Sequence, residues 1–141
     1  MLSSSTVYAI RASIYIAAHK ENEYIAISEI AEKLNISFHF LTKILQKLTQ
    51  DKLMRSYRGP NGGVAFTKPV NKIFLSDIVK SIETNPIFDE CILGIPKCGE
   101  GKPCPLHDEW GAVRNRLKEK FENSNLADLA KGVSELSERL K

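Results

Sequence analysis

Three cysteines, Cys91, Cys98 and Cys104, lie within fourteen residues, and His107 follows the last of them at C-x-x-H spacing. They are all the cysteines in the chain. The segment between them, Cys91-ILGIPK-Cys98-GEGKP-Cys104-PL-His107, is rich in Gly and Pro and poor in helix formers. Three soft thiolates and an imidazole on a pliable loop are a donor set for a metal ion or an iron–sulfur cluster. Structural zinc sites typically use C-x₂₋₄-C knuckles, and the wider gaps here suit a larger object. Zinc and bare redox thiols remain alternatives. A thiol enzyme with Cys104 as nucleophile and His107 as base is a further one, but no orienting third group is evident. No G-x-S-x-G, P-loop or H-E-x-x-H motif points to other enzyme chemistry, so the chain reads as a non-enzyme.

The elements that must position these residues begin upstream. The chain has 141 residues and is 43% hydrophobic, enough for a compact core. Its net charge is only +3, but residues 33–68 carry seven Lys/Arg opposed by Asp51 alone. A localised basic field suits a polyanion, most often nucleic acid. There is no apolar run long enough for a membrane span, and no membrane partner is expected. The start, MLSSSTVYAIRAS, lacks the pattern of a signal peptide, so a cytoplasmic location is expected. In that compartment an odd set of three cysteines favours metal or redox chemistry over disulfides.

Apolar spacing predicts a first helix over 4–19. Ser28 is placed to cap a short helix, SEIAEKL, and Asn35-Ile36-Ser37 forms a tight turn. Ser37 then caps a second helix running to about Gln50, with Leu41, Ile44, Leu45 and Leu48 as its buried stripe. Two short helices joined by a three-residue turn are a helix-turn-helix signature. Strands are expected over Leu53–Tyr57 and Val64–Thr67, around the turn-rich Arg58-Gly59-Pro60-Asn61-Gly62-Gly63. A hairpin in this position is a wing. Ser76 is expected to cap a further helix, broken at Asn85-Pro86. A long helix is expected from Pro105 to about Asn123, with Leu106, Trp110, Val113, Leu117 and Phe121 near one stripe, and a last segment after Ser124-Asn125.

The predicted fold is mostly α with a small β-hairpin wing: a winged helix-turn-helix plus a long dimerisation helix. The expected division is 1–84 for the DNA-binding domain, 85–105 for the cluster loop, and 106–141 for the dimerisation helix and C-terminal segment. Candidate DNA contacts are Ser28 and Ser37 at the helix starts, with His39, Phe40, Thr42, Lys43 and Lys47 on the open face of the second helix. In the wing they are Arg58, Gly59, Asn61 and Gly62. Arg58 suits a narrow minor groove. Thr42 and the Phe40 ring can meet a thymine methyl, and Lys43 a guanine or phosphate. Phe40 is as well explained by packing, and Phe38 is expected to pack beneath the wing.

These residues resemble the bacterial winged-helix regulators typified by IscR, the regulator of iron–sulfur assembly, and NsrR, the nitric-oxide sensor. The similarity runs from about Tyr8 onward, through Ile27-Ser28-Glu29-Ile30-Ala31, Phe40-Leu41-Thr42-Lys43-Ile44-Leu45, Arg58-Gly59-Pro60-Asn61-Gly62-Gly63, Leu75-Ser76-Asp77-Ile78-Val79 and the cysteine loop. It implies a homodimeric regulator that binds double-stranded operator DNA and usually represses. It also implies that Cys91, Cys98, Cys104 and His107 hold the cluster, with Trp110 at the matching distance. Where NsrR-like members carry an acidic ligand to a [4Fe-4S] cluster this chain has Val7, which favours [2Fe-2S]. The first cysteine gap is one residue longer than the family pattern. Thr42 replaces a glutamate, so the operator sequence does not carry over.

Overall fold

The computed structural model describes residues 2–19, 23–84, 88–91, 93–95 and 104–132. Cys98, the expected break at Asn85-Pro86, and residues 133–141 of the last segment lie outside these. The elements are α1 (Ser4–Ala18), α2 (Ile27–Leu34), α3 (Phe38–Gln50), β1 (Met54–Tyr57), β2 (Gly63–Phe66), a 3-10 turn (Val70–Lys72), α4 (Leu75–Ile82), α5 (His107–Asn123) and α6 (Leu126–Ala130).

The α2–α3 corner forms because Asn35 accepts a left-handed conformation, φ 53°, at the end of α2. The Ile36 N–H then reaches back to the Ala31 carbonyl at 2.9 Å, closing the turn in Schellman fashion. Ser37 caps α3 as expected, its hydroxyl accepting from the Phe40 N–H. Leu41, Ile44, Leu45 and Leu48 are all buried. They join Ala9, Ala12 and Ile16 of α1, Ile30 and Leu34 of α2, Met54 and Val64 of the hairpin, and Ile78 of α4 in one core. The hairpin is antiparallel, with Met54 opposite Phe66 and Tyr57 opposite Gly63.

Several boundaries differ from expectation. Ser28 does not cap α2; the helix starts at Ile27, with Ala26 before it. The cause is a third piece of wing. Ile25 pairs antiparallel with Val64, exchanging hydrogen bonds of 3.0 and 2.9 Å, so the chain turns into α2 directly from that bridge. Gly63 permits the approach, since a Cβ there would stand 2.1 Å from the Ile25 carbonyl oxygen. Ser76 does not cap α4 either. The helix begins at Leu75, Ser76 is buried, and Asp77 closes the start by accepting the Phe74 N–H at 3.0 Å. The strands begin and end within one residue of the expected limits.

The chain returns to this body after α5. Leu126 is fully buried and its N–H donates to the Ile73 carbonyl, while the Leu75 N–H donates to the Ser124 carbonyl. The Asn125 side chain caps α6, accepting from the Asp128 N–H at 2.9 Å, and α6 packs on α1. A second tie runs from Glu83, just past α4, to the start of α1. Its carboxylate accepts from the Ser3 N–H (2.8 Å) and from the buried Thr6 hydroxyl (2.7 Å). Burial works to raise the Glu83 pKa, but these bonds outweigh it and hold it below the usual glutamate value.

Candidate DNA interface and cysteine site

The open face of α3 follows from its buried stripe. His39, Lys43, Gln46 and Lys47 are exposed, and Thr42 is partly so. The Thr42 hydroxyl donates to the Phe38 carbonyl at 2.7 Å, which leaves its oxygen lone pair and methyl as its outward chemistry. Lys47 is engaged by Asp51 at 2.9 Å, one turn along. The Asp51 carboxyl is held below its usual pKa, first by the Ser81 hydroxyl and then by Lys47. Ser28 is exposed in the first turn of α2.

Of the two phenylalanines, Phe40 takes the packing alternative and Phe38 departs from expectation. Phe40 is partly buried, its ring edge-on to Tyr8 of α1 at 5.6 Å between centroids. Phe38, expected to pack beneath the wing, is 47% exposed at the first position of α3. Helical phase sets a side chain's direction, but only a neighbour in that direction buries it. α1 supplies one for Phe40.

In the wing, Arg58, Gly59, Pro60 and Asn61 are exposed. Gly59 (φ 121°) and Asn61 (φ 63°) take left-handed conformations, and the Gly62 N–H closes the tip onto the Gly59 carbonyl at 2.9 Å. Sequence reasoning passed over a group at the wing base. Tyr24 and Tyr57 stack at 5.4 Å, and Arg55 lies over the Tyr24 ring and 3.5 Å from Glu23. The aromatic Tyr24 beside β-branched Ile25 was the available signal for extended chain there.

Two of the three cysteines come together. The Cys91 and Cys104 sulfurs are 3.5 Å apart, beyond the ~2.05 Å of a disulfide bond. A tetrahedral metal with bonds of about 2.3 Å to sulfur holds two thiolates about 3.8 Å apart, so the pair fits a shared metal. Cys98 lies outside the described residues. Among the described residues, no three Cys, His, Asp or Glu side chains converge as a metal-holding group. The His107 N–H donates to the Cys104 carbonyl at 3.0 Å, so the site runs directly into α5.

Residues 88–91 are strapped along α5. Phe88 meets Phe121 edge-on at 5.3 Å, and Asp89 lies 3.6 Å from Lys118. The Glu90 carbonyl accepts from the Trp110 indole N–H at 2.8 Å and from Arg114 at 3.4 Å. The α5 helix itself has no buried residue, and Val113 is 55% exposed. Among the described residues no helix is long and apolar enough to cross a membrane.

Comparison with known proteins agrees with this architecture. The family model Rrf2, described as an iron-dependent transcriptional regulator, matches residues 2–132. An HTH-type transcriptional regulator of Aquifex aeolicus is 30% identical over 132 residues, covering 92% of this chain and 91% of that protein. The HTH-type transcriptional regulator IscR of Vibrio campbellii is 27% identical over 140 residues, covering 98% and 83%. Among solved structures, CymR, the global cysteine regulator of B. subtilis, superposes with a TM-score of 0.80 at 26% identity, covering 93% of this chain and 96% of that one. With its helix-turn-helix and wing, the chain belongs to the Rrf2 family of winged-helix, DNA-binding transcriptional regulators and is not an enzyme.

Proposed function

We propose that this regulator is a homodimeric repressor whose operator affinity is set by an iron–sulfur cluster held by Cys91, Cys98, Cys104 and His107, with [2Fe-2S] favoured. The observation that carries this reading is the 3.5 Å approach of Cys91 and Cys104 at the start of α5. When bound, the cluster supplies a centre that responds to redox state, nitric oxide or iron–sulfur supply. The chain's own residues do the rest. The 88–91 strap and Cys104 fix where α5 begins. The apolar side chains of α5 pair with a second copy, and that pairing sets the spacing of the two α3 helices. His39, Thr42 and Lys43 enter the major groove while Arg58 reaches the minor groove, with half-sites on the order of 34 Å apart. A small shift at the start of α5 thus changes affinity with no DNA contact altered. Residues 1–84 read DNA, 85–105 hold the cluster and 106–141 pair the subunits. The protein works in the cytoplasm.

The test is a visible spectrum of anaerobically purified protein, followed by titration of one operator with cluster-loaded and cluster-free dimer at the same salt. A visible band lost on Cys91→Ala, and a difference in affinity of about 1–3 kcal/mol between the two forms, are expected. Equal binding curves with the dimer intact would make the centre structural. Stoichiometric zinc without a visible band would replace the cluster by a zinc site, and thiols without metal by a redox pair.

A further inference from the structure

Phe38 is an exposed aromatic ring at the end of α3 that enters first. It is the first residue of the helix, 47% exposed, and its described ring contact is with its neighbour His39, at 5.8 Å. The residues on either side are polar and exposed: Ser37, which caps the helix, and His39. One turn on, Thr42 bonds back to the Phe38 carbonyl, which pins the backbone that carries the ring. Phe40, the other aromatic of this turn, is committed to Tyr8 of α1. N-terminal residues of a recognition helix lie against base edges, and the apolar feature the major groove offers is the thymine methyl group.

We infer that Phe38 is a specificity-determining residue that reads a thymine 5-methyl group in each operator half-site. The inference rests on α3 being the recognition helix. It assigns to Phe38 a base contact that the sequence alone suggested for Phe40. The ring shields the methyl from water and selects thymine over cytosine, which presents no methyl there. The contact is worth about fourfold in affinity, the value of one buried methyl group.

Deoxyuridine isolates this methyl, because it keeps every hydrogen-bonding edge of thymine. Duplexes are selected from a random pool by the wild-type protein, and each thymine of the selected half-site is replaced in turn by deoxyuridine. One replacement per half-site is expected to weaken wild-type binding by about fourfold. Phe38→Ala is expected to bind the thymine duplex correspondingly less well and to ignore that replacement. Because the ring is exposed, the variant should unfold at the wild-type temperature. Thr42→Ser, which removes the other candidate methyl, is expected to keep the deoxyuridine penalty. The inference is overturned if Phe38→Ala retains the penalty, if Thr42→Ser abolishes it, or if no replacement weakens wild-type binding. Failure of the recognition-helix reading looks different: His39→Ala, Thr42→Ala and Lys43→Ala would then join Phe38→Ala in leaving both affinity and sequence preference unchanged.

Discussion

The body of α1–α4, wing and α6 differs from the α5 arm in what each does with its apolar residues. The body's helices and hairpin turn theirs inward, and Ile30, Leu41, Leu48, Ile78 and Leu126 are fully buried. The arm spans seventeen residues, carries Trp110, Val113, Leu117 and Phe121, and buries none of them fully. Of these Val113 is exposed, while Trp110, Leu117 and Phe121 are partly covered, Trp110 and Phe121 by contacts with the 88–91 strap. The body closes on its own core, whereas the arm keeps part of its apolar stripe at the surface.

The sharpest way to break the contrast is a paired truncation. Leu41→Ala in the body should cost about 2–5 kcal/mol of unfolding free energy, measured by denaturant titration. Val113→Ala in the arm should cost within about 0.5 kcal/mol at high dilution. If α5 pairs with a second copy, the second cost grows with protein concentration while the first does not. A Val113→Ala loss that is large and independent of concentration would show that the arm is closed by its own chain.

Arg58→Ala separates the regions by function. It should weaken operator binding by about 1–3 kcal/mol and lower the salt dependence. The loss should be the same in cluster-loaded and cluster-free protein, because the wing tip lies in the body. Cys91→Ala should instead remove only the difference between those forms. If Arg58→Ala acts in one form alone, the arm does reach the wing.

The body was largely legible in the sequence and the arm less so. Leu41, Ile44, Leu45 and Leu48 declare the phase of α3 over its whole length, and the Gly-rich turn between two short strand-like segments declares the wing. A single bridge has no period, so periodicity did not show the Ile25–Val64 pair or the true start of α2, and only the Tyr24-Ile25 composition hinted at extended chain there. Phe38 lies nearer in helical phase to the buried stripe than Phe40 does, yet α1 reaches only Phe40. The cysteine spacing announced donors, but spacing along a loop does not say which sulfurs meet; among the described residues, Cys91 and Cys104 do.

The tie between Glu83 and the start of α1 gives a smaller, pH-dependent test of the body. Its carboxyl pKa lies below the usual 4.5 in the folded chain, so its contribution is present above that value and is lost as pH falls through the folded pKa. Glu83→Gln should cost about 1 kcal/mol at neutral pH, the scale of a net hydrogen bond. The gap from wild type should close in acid. Stability profiles that stay parallel down to pH 3 would mean that the Glu83 carboxyl titrates alike in the folded and unfolded chain and that its charge adds nothing to this tie.

The smallest effect concerns Lys47, which sits on the exposed side of α3 but is held by Asp51 at 2.9 Å. Because the Ser81 hydroxyl, and after it Lys47, keeps the Asp51 carboxyl below its usual 3.8, the carboxylate stays charged at any pH where DNA binding is measured. Acid will therefore not free the lysine, whereas Asp51→Asn will. The amide oxygen can still accept from Ser81, but it offers Lys47 no charge. If Lys47 then reaches a phosphate, one more counterion is released, and the slope of log affinity against log salt should steepen by about 0.9. Operator titrations of both proteins across a salt series read this directly. An unchanged slope removes Lys47 from the interface and confines the contacts of α3 to its first two turns, where Phe38, His39, Thr42 and Lys43 stand.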